Sequence, residues 1–160
     1  MEAMLAVAIT AILAAMGGRL LIQINRFFVL STTRSSLQKE ARSAMYVMNR
    51  ELRQAQNASI VIDRLSSSQP FYSRVTFTKS TSSSTTTGTT MTFEQSGSKL
   101  IQIVGTSSMT LTNNLYYLAF TFPRTDDMTI ISVAMTLQKN IYEGRTKALH
   151  MASQKVQIMN

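Results

Sequence analysis

The chain has no cysteine and no tryptophan, one histidine, and eight acidic side chains against sixteen basic ones. Without cysteine there is no disulfide, no thiolate metal site and no thiol nucleophile. One imidazole does not build a histidine-rich metal site, and a Ser–His–Asp triad would hang on His150 alone. Beside Met151 on a predicted strand, His150 reads as a packed or surface side chain. No phosphate-binding loop and no dinucleotide fingerprint is present. Proline is equally scarce: none precedes Pro70, so nothing breaks a helix early in the chain. At 160 residues there is room for one modest domain. The net charge of +8 is spread along the chain and weakly favours anionic partners, acidic lipid or nucleic acid. Eleven methionines fall mostly at apolar positions, where core filling is their expected role.

What is present in quantity is an apolar start. Glu2 is followed by Ala-Met-Leu-Ala-Val-Ala-Ile-Thr-Ala-Ile-Leu-Ala-Ala-Met-Gly-Gly, with no second charge until Arg19. Ala3 to Gly18 would span about 24 Å as a helix, against a hydrocarbon core of about 30 Å. Extending to Ile24, with Arg19 snorkelling its guanidinium to the headgroups, closes the gap. A cleaved signal peptide would have a shorter apolar region and a cleavage site after it, whereas here the helical pattern runs on past Arg26. A carboxylate in hydrocarbon costs about 2.5–3.5 kcal/mol at a helix centre and somewhat less near an end, so Glu2 calls for a partner. Gly17-Gly18 is a weak point of the helix, or a place where another helix comes close, since each glycine costs about 1 kcal/mol relative to alanine.

The helix is predicted to reach about Asn57. In its second half Leu37, Ala41, Ala44, Met45, Met48, Leu52 and Ala55 share one face, with Lys39, Glu40, Arg42, Arg50, Glu51 and Arg53 opposite. Beyond Asn57 the period changes to two. Strands are predicted over 59–63, 72–79, 90–94, 99–104, 115–122, 129–139 and 147–159. Ser66-Ser67-Ser68, Ser96-Gly97, Asn113-Asn114, Asp126-Asp127 and Glu143-Gly144 mark turns between them. The expected fold is α+β: a long N-terminal helix, hydrophobic and then amphipathic, followed by an antiparallel β-sheet globular domain. Residues 1–30 form the transmembrane half of the helix, 31–57 the amphipathic half and 58–160 the β domain.

The N-terminal segment resembles that of type IV pilins and pseudopilins. In that family a peptidase removes a basic leader, and the mature chain opens with a few apolar residues, a glutamate and a long hydrophobic helix. Here only Met1 precedes Glu2, which suggests a truncated start or an omitted one. Arg19, Arg26 and Arg34 all follow the span, which by itself places the β domain in the cytoplasm; a removed basic leader would reverse that. Arg50-Glu51-Leu52-Arg53-Gln54-Ala55 and the closing hairpin, Ser132–Lys139 leading to Gly144–Lys147, are similar to J-type minor pseudopilins and related minor pilins. The resemblance implies a structural subunit of a type IV pilus-like filament or type II secretion pseudopilus, not an enzyme and without cofactor. Its residence would be the bacterial inner membrane and then a periplasmic or extracellular filament. Its partners would be copies of itself or other pilin-like subunits, an inner-membrane assembly platform, a prepilin peptidase that leaves a methylated amine, and membrane lipid before assembly. It also implies that Glu2 neutralises a neighbour's α-amino group, with Ala3, Leu5, Ile9, Leu13, Gly17 and Gly18 in the assembly surface.

The residues leave an alternative: a single-span anchored module whose β domain recognises nucleic acid or a protein. Lys139, Arg145, Lys147 and Lys155, with Tyr117 and Tyr142 to stack bases, are its weak candidates for DNA. Lysines on an edge strand equally serve to prevent unwanted pairing, and four spaced cations lack the density of a binding stripe. Asp126-Asp127 is a turn pair before it is a calcium site, which needs about six to eight oxygens. The Ser/Thr run over 80–90 reads as an exposed hairpin tip, with Ser82, Ser83, Ser84, Thr85 and Thr86 as candidate O-glycosylation positions.

Overall fold

The computed structural model describes residues 2–79, 88–142 and 146–159. The candidate glycosylation positions Ser82, Ser83, Ser84, Thr85 and Thr86, the Glu143-Gly144 turn and Arg145 lie outside the described residues. The architecture is the expected α+β one. Among the described residues a single helix, α1 (Glu2–Leu52), is followed by a 3-10 turn, Asn57–Ser59, and by eight strands in two antiparallel sheets. The first sheet is a meander of β1 (Val61–Asp63), β2 (Arg74–Thr78), β3 (Thr90–Ser96), β4 (Lys99–Val104) and β5 (Ser107–Thr112), paired in chain order. The second is β6 (Leu115–Thr121), β7 (Ile130–Ile141) and β8 (Thr146–Gln157), again in chain order.

The amphipathic face of α1 behaves as its periodicity requires. Leu37, Ala41, Ala44, Met45, Met48, Leu52 and Ala55 are all buried. They pack with Val75, Phe77, Phe93, Leu118, Phe120, Ile131, Val133, Met135 and Leu137 in one core. The Phe77 and Phe93 rings sit 6.1 Å apart on adjacent strands. Backbone hydrogen bonds join the two sheets, from Phe120 N–H to the Tyr72 carbonyl (2.8 Å) and from Leu115 N–H to the Ser98 carbonyl (2.8 Å).

The helix stops at Leu52 rather than Asn57. Its last carbonyls are taken up by a tightened turn and by the sheet. Gln54 and Ala55 N–H groups reach back only three residues, to Glu51 and Leu52, and Met159 N–H bonds the Arg53 carbonyl at 3.1 Å. Ala55 then bridges to Lys79, so the sheet holds the backbone extended where side-chain periodicity alone would continue the helix.

β5 is a strand that periodicity missed. Its Ser-Ser-Met-Thr-Leu-Thr sequence is polar because it lies at the edge of the sheet, with only Leu111 and Thr112 turned toward the core. A two-residue loop joins it to β4. Gly105 leads that loop at φ 59°, as Gly97 leads the β3–β4 turn at φ 60°. A register shift between Leu115 and Tyr117 in β6 turns both Tyr116 and Tyr117 to solvent.

Two carboxylates expected on the solvent face of α1 are drawn inward instead. Glu51 is only 4% exposed and is held by Arg50 (2.6 Å) and Lys79 (3.0 Å). Burial pushes its carboxyl up, but the hydrogen bonds and charges of Lys79 and Arg50 outweigh this and leave it below the usual carboxylate value. Glu40 accepts hydrogen bonds from Thr112 Oγ1 (3.0 Å) and Asn114 Nδ2 (2.8 Å), fastening the middle of the amphipathic half to the end of β5.

Candidate functional site

The feature left unpartnered is the first half of α1. Every described side chain from Ala3 to Phe28 is exposed, and contact with the core begins at Val29 and Leu30. These positions extend about 40 Å at 1.5 Å per residue, enough to cross a hydrocarbon core of about 30 Å. The most apolar 18-residue window of the helix has a mean hydropathy of 2.1 and is 0% buried. Met4, Leu5, Val7, Ile9, Met16, Leu20, Leu21, Ile22, Ile24, Phe27 and Phe28 are all half or more exposed. Burying such side chains gains about 1.5–3 kcal/mol each, so the total is on the order of 20 kcal/mol. That exceeds the whole stability of an ordinary domain, about 5–15 kcal/mol. The helix is long and apolar enough to cross a membrane.

Its one polar side chain between Ala3 and Gly18 suits that medium. Thr10 Oγ1 donates to its own helix, at the Ala6 and Val7 carbonyls (3.0 Å each), and leaves no hydroxyl for lipid to solvate.

Of the seven candidate assembly positions, 2, 5, 9 and 13 lie within about 80° of one another around the helix at 100° per residue. They mark one line along the helix backbone, headed by position 2, and the two described side chains on it, Leu5 and Ile9, are exposed. Ala3, Gly17 and Gly18 fall on the neighbouring flank, so the seven share one helix but not one face. At both glycines the backbone is helical, and a Cβ would meet nothing within 4 Å. Neither a turn nor contact within the chain requires glycine there. Relative to alanine, the pair forfeits about 2 kcal/mol of helix propensity.

The remaining candidates are dispersed. Lys147 and Lys155 are eight residues apart on β8, about 27 Å, and only Lys139 lies near Lys147, opposite Ala148. The described cations of the closing hairpin therefore do not gather into one patch. His150 is half-buried opposite Leu137. Asp127 accepts the Thr129 side-chain hydroxyl and its N–H (2.9 Å), bonds that close a turn and hold the carboxyl below its usual value. Asp126 is bound by Arg124 at 2.8 Å. Among the described residues no group of three potential metal ligands comes together.

Among the described residues, clefts open at the C-terminal end of α1 and on the β domain. One, of about 540 Å³, is lined by Tyr46, Asn49, Arg50, Arg53, Gln54 and Met159. The other, of about 420 Å³, is lined by Ile62, Tyr72, Phe120, Thr121 and Phe122. Tyr72 is held there at φ 63°, rare for a side chain of its size. Neither lining contains a carboxylate, imidazole or thiol. Searched against family models, curated proteins and solved structures, the chain matches none.

Proposed function

We propose that the chain is a pilin-like structural subunit, held in a membrane by the first half of α1 and assembled into a filament by packing that half against the helices of neighbouring subunits. One observation carries the reading: a single unbroken helix has two unlike halves. Its second half is fastened into a β domain by Leu37, Met48 and Leu52, while the described side chains of its first half are exposed over about 40 Å and are mostly apolar. An anchor alone accounts for the apolar length. It gives no reason for a carboxylate at Glu2 in an apolar stretch, or for Gly17-Gly18, where a Cβ would meet nothing within 4 Å among the described residues. Both suit a helix that has helical neighbours, one through charge pairing and the other through close approach. Before assembly the helix lies in lipid; on assembly the line headed by Glu2 meets a neighbour, and the β domain stays outside the bundle.

Because the chain has no cysteine, a single introduced one carries a unique label. A benzophenone photo-cross-linker attached to Leu5→Cys or Ile9→Cys in native membranes is expected to give adducts with a second protein subunit at both positions. The same label at Ser153→Cys, on exposed β8, is the control. Lipid adducts alone at both helix positions would replace this reading with the single-span anchored module.

A further inference from the structure

The half of α1 that carries the β domain has a second face, pointing away from the core. Lys39, Arg42, Tyr46 and Arg50 fall within about 80° of one another around the helix, roughly opposite the buried row, and Arg53, one residue past the helix end, continues the line through its N–H bond to the Asn49 carbonyl (3.1 Å). All five are exposed, Tyr46 by 68%. They extend over about 21 Å of helix. No carboxylate interrupts them: Glu40 is turned to Thr112 and Asn114, and Glu51 is held between Arg50 and Lys79. At the C-terminal end this face widens into the cleft of about 540 Å³ lined by Tyr46, Asn49, Arg50, Arg53, Gln54 and Met159.

The rest of the chain has little to offer such a surface. Asp63 is bound by Arg74, Glu94 is buried, Asp127 closes a turn on Thr129 and Asp126 is bound by Arg124. Among the described side chains, then, no exposed carboxylate is free of a partner. Two copies packed through this same face would set cations beside cations, an arrangement that costs several kcal/mol at an interface.

We propose that the outer face of α1 from Lys39 to Arg53 is the docking surface for a different protein chain that presents carboxylates to it, and that copies of this chain do not cover it for one another. Resting on the filament reading, that chain is a neighbouring subunit of unlike sequence. Anionic lipid is disfavoured by geometry. Arg53 stands about 40 Å along the helix from Arg26, and a spanning helix tilts about 0–40° from the bilayer normal, so the distal arginines are held well clear of the headgroups. Nucleic acid is disfavoured by number, because one of the four cations already neutralises Glu51.

The test uses the full chain in an uncharged detergent and a fluorescent decaglutamate peptide, read by anisotropy at low ionic strength. Arg42→Glu combined with Arg53→Glu is expected to weaken binding by about tenfold or more, and Lys147→Glu combined with Lys155→Glu, an equal change in net charge, by less than about twofold. All four side chains are exposed, so both variants keep the fold. Three results would overturn the proposal: no binding to the unsubstituted chain, equal losses in the two variants, or tighter binding of an oligothymidylate than of the peptide through the same arginines. None of these involves assembly, so they leave the filament reading to its own cross-linking test.

Discussion

Glu2→Ala is expected to abolish the neighbour cross-links from the first half of α1 while the protein stays in the membrane fraction. The two readouts separate because the substitution acts on them with opposite sign. Insertion becomes easier, since a carboxylate in hydrocarbon costs up to about 2.5–3.5 kcal/mol and alanine costs almost nothing. Association becomes harder if Glu2 pairs with a cationic group on a neighbour in a medium of low dielectric. Deleting one partner of such a pair typically costs about 3–5 kcal/mol, which is on the order of 10²- to 10³-fold in the association constant. Glu2→Gln, which keeps the size and a hydrogen-bonding group but not the charge, is expected to fall between the two. Cross-links at the unsubstituted level in Glu2→Ala would remove the pairing from the account and leave only apolar packing.

Leu52→Ala is expected to lower the stability of the β domain by about 2–5 kcal/mol, read as a fall in the thermal midpoint of the full chain in detergent. Leu52 is fully buried at the last turn of α1, where helix gives way to sheet, and truncation leaves a cavity in the core it shares with Phe77, Phe93 and Phe120. Against a total of about 5–15 kcal/mol, that is a large fraction. The matched control is Leu20→Ala in the uncovered half. Leu20 is exposed and is not among the residues packed on the core, so its midpoint should move by less than the equivalent of about 0.5 kcal/mol. Equal midpoints for Leu52→Ala and the unsubstituted chain would mean that the helix is not part of the domain core.

The buried row of α1 was legible because helical period and apolar identity coincide from Leu37 to Ala55, and all seven residues of that row are inside. β4 falls where its alternation puts it, from Lys99 to Val104. The failures share a cause, which is contact between residues distant in sequence. Glu51 and Glu40 look like solvated helix charges until Lys79 on one side, and Thr112 and Asn114 on the other, are brought against them. The helix end was placed five residues late because Ala55 fits the helical row, while its backbone is claimed by Lys79. β5 was missed because an edge strand needs few apolar side chains, although Gly105 carried the same turn signal as Gly97. Nor does local alternation disclose the division into two sheets, since β5 and β6 are separated only by Asn113 and Asn114.

For the candidate site the position was readable and its isolation was not. An apolar helix half is the same string of residues whether it ends in a protein core, a bilayer or a bundle of copies. The fold adds that every described side chain from Ala3 to Phe28 is exposed, and that a Cβ at Gly17 or Gly18 would meet nothing within 4 Å among the described residues. The charge distribution of the second half was visible only as a count. Its meaning depends on which carboxylates are spent inside the fold, and that emerges once Asp63, Glu40 and Glu51 are seen with their partners.

The central claim is that the helix works in an assembly through a charged terminus and an apolar face, and the mass of the N-terminal peptide of the native protein tests it most directly. A chain that begins a few residues before Glu2 with a methylated amine is the predicted result, because it supplies the cationic group that Glu2 would meet on a neighbour. An unprocessed, formyl-methionine-derived start at Met1 would contradict it and leave a single-span anchored module in its place.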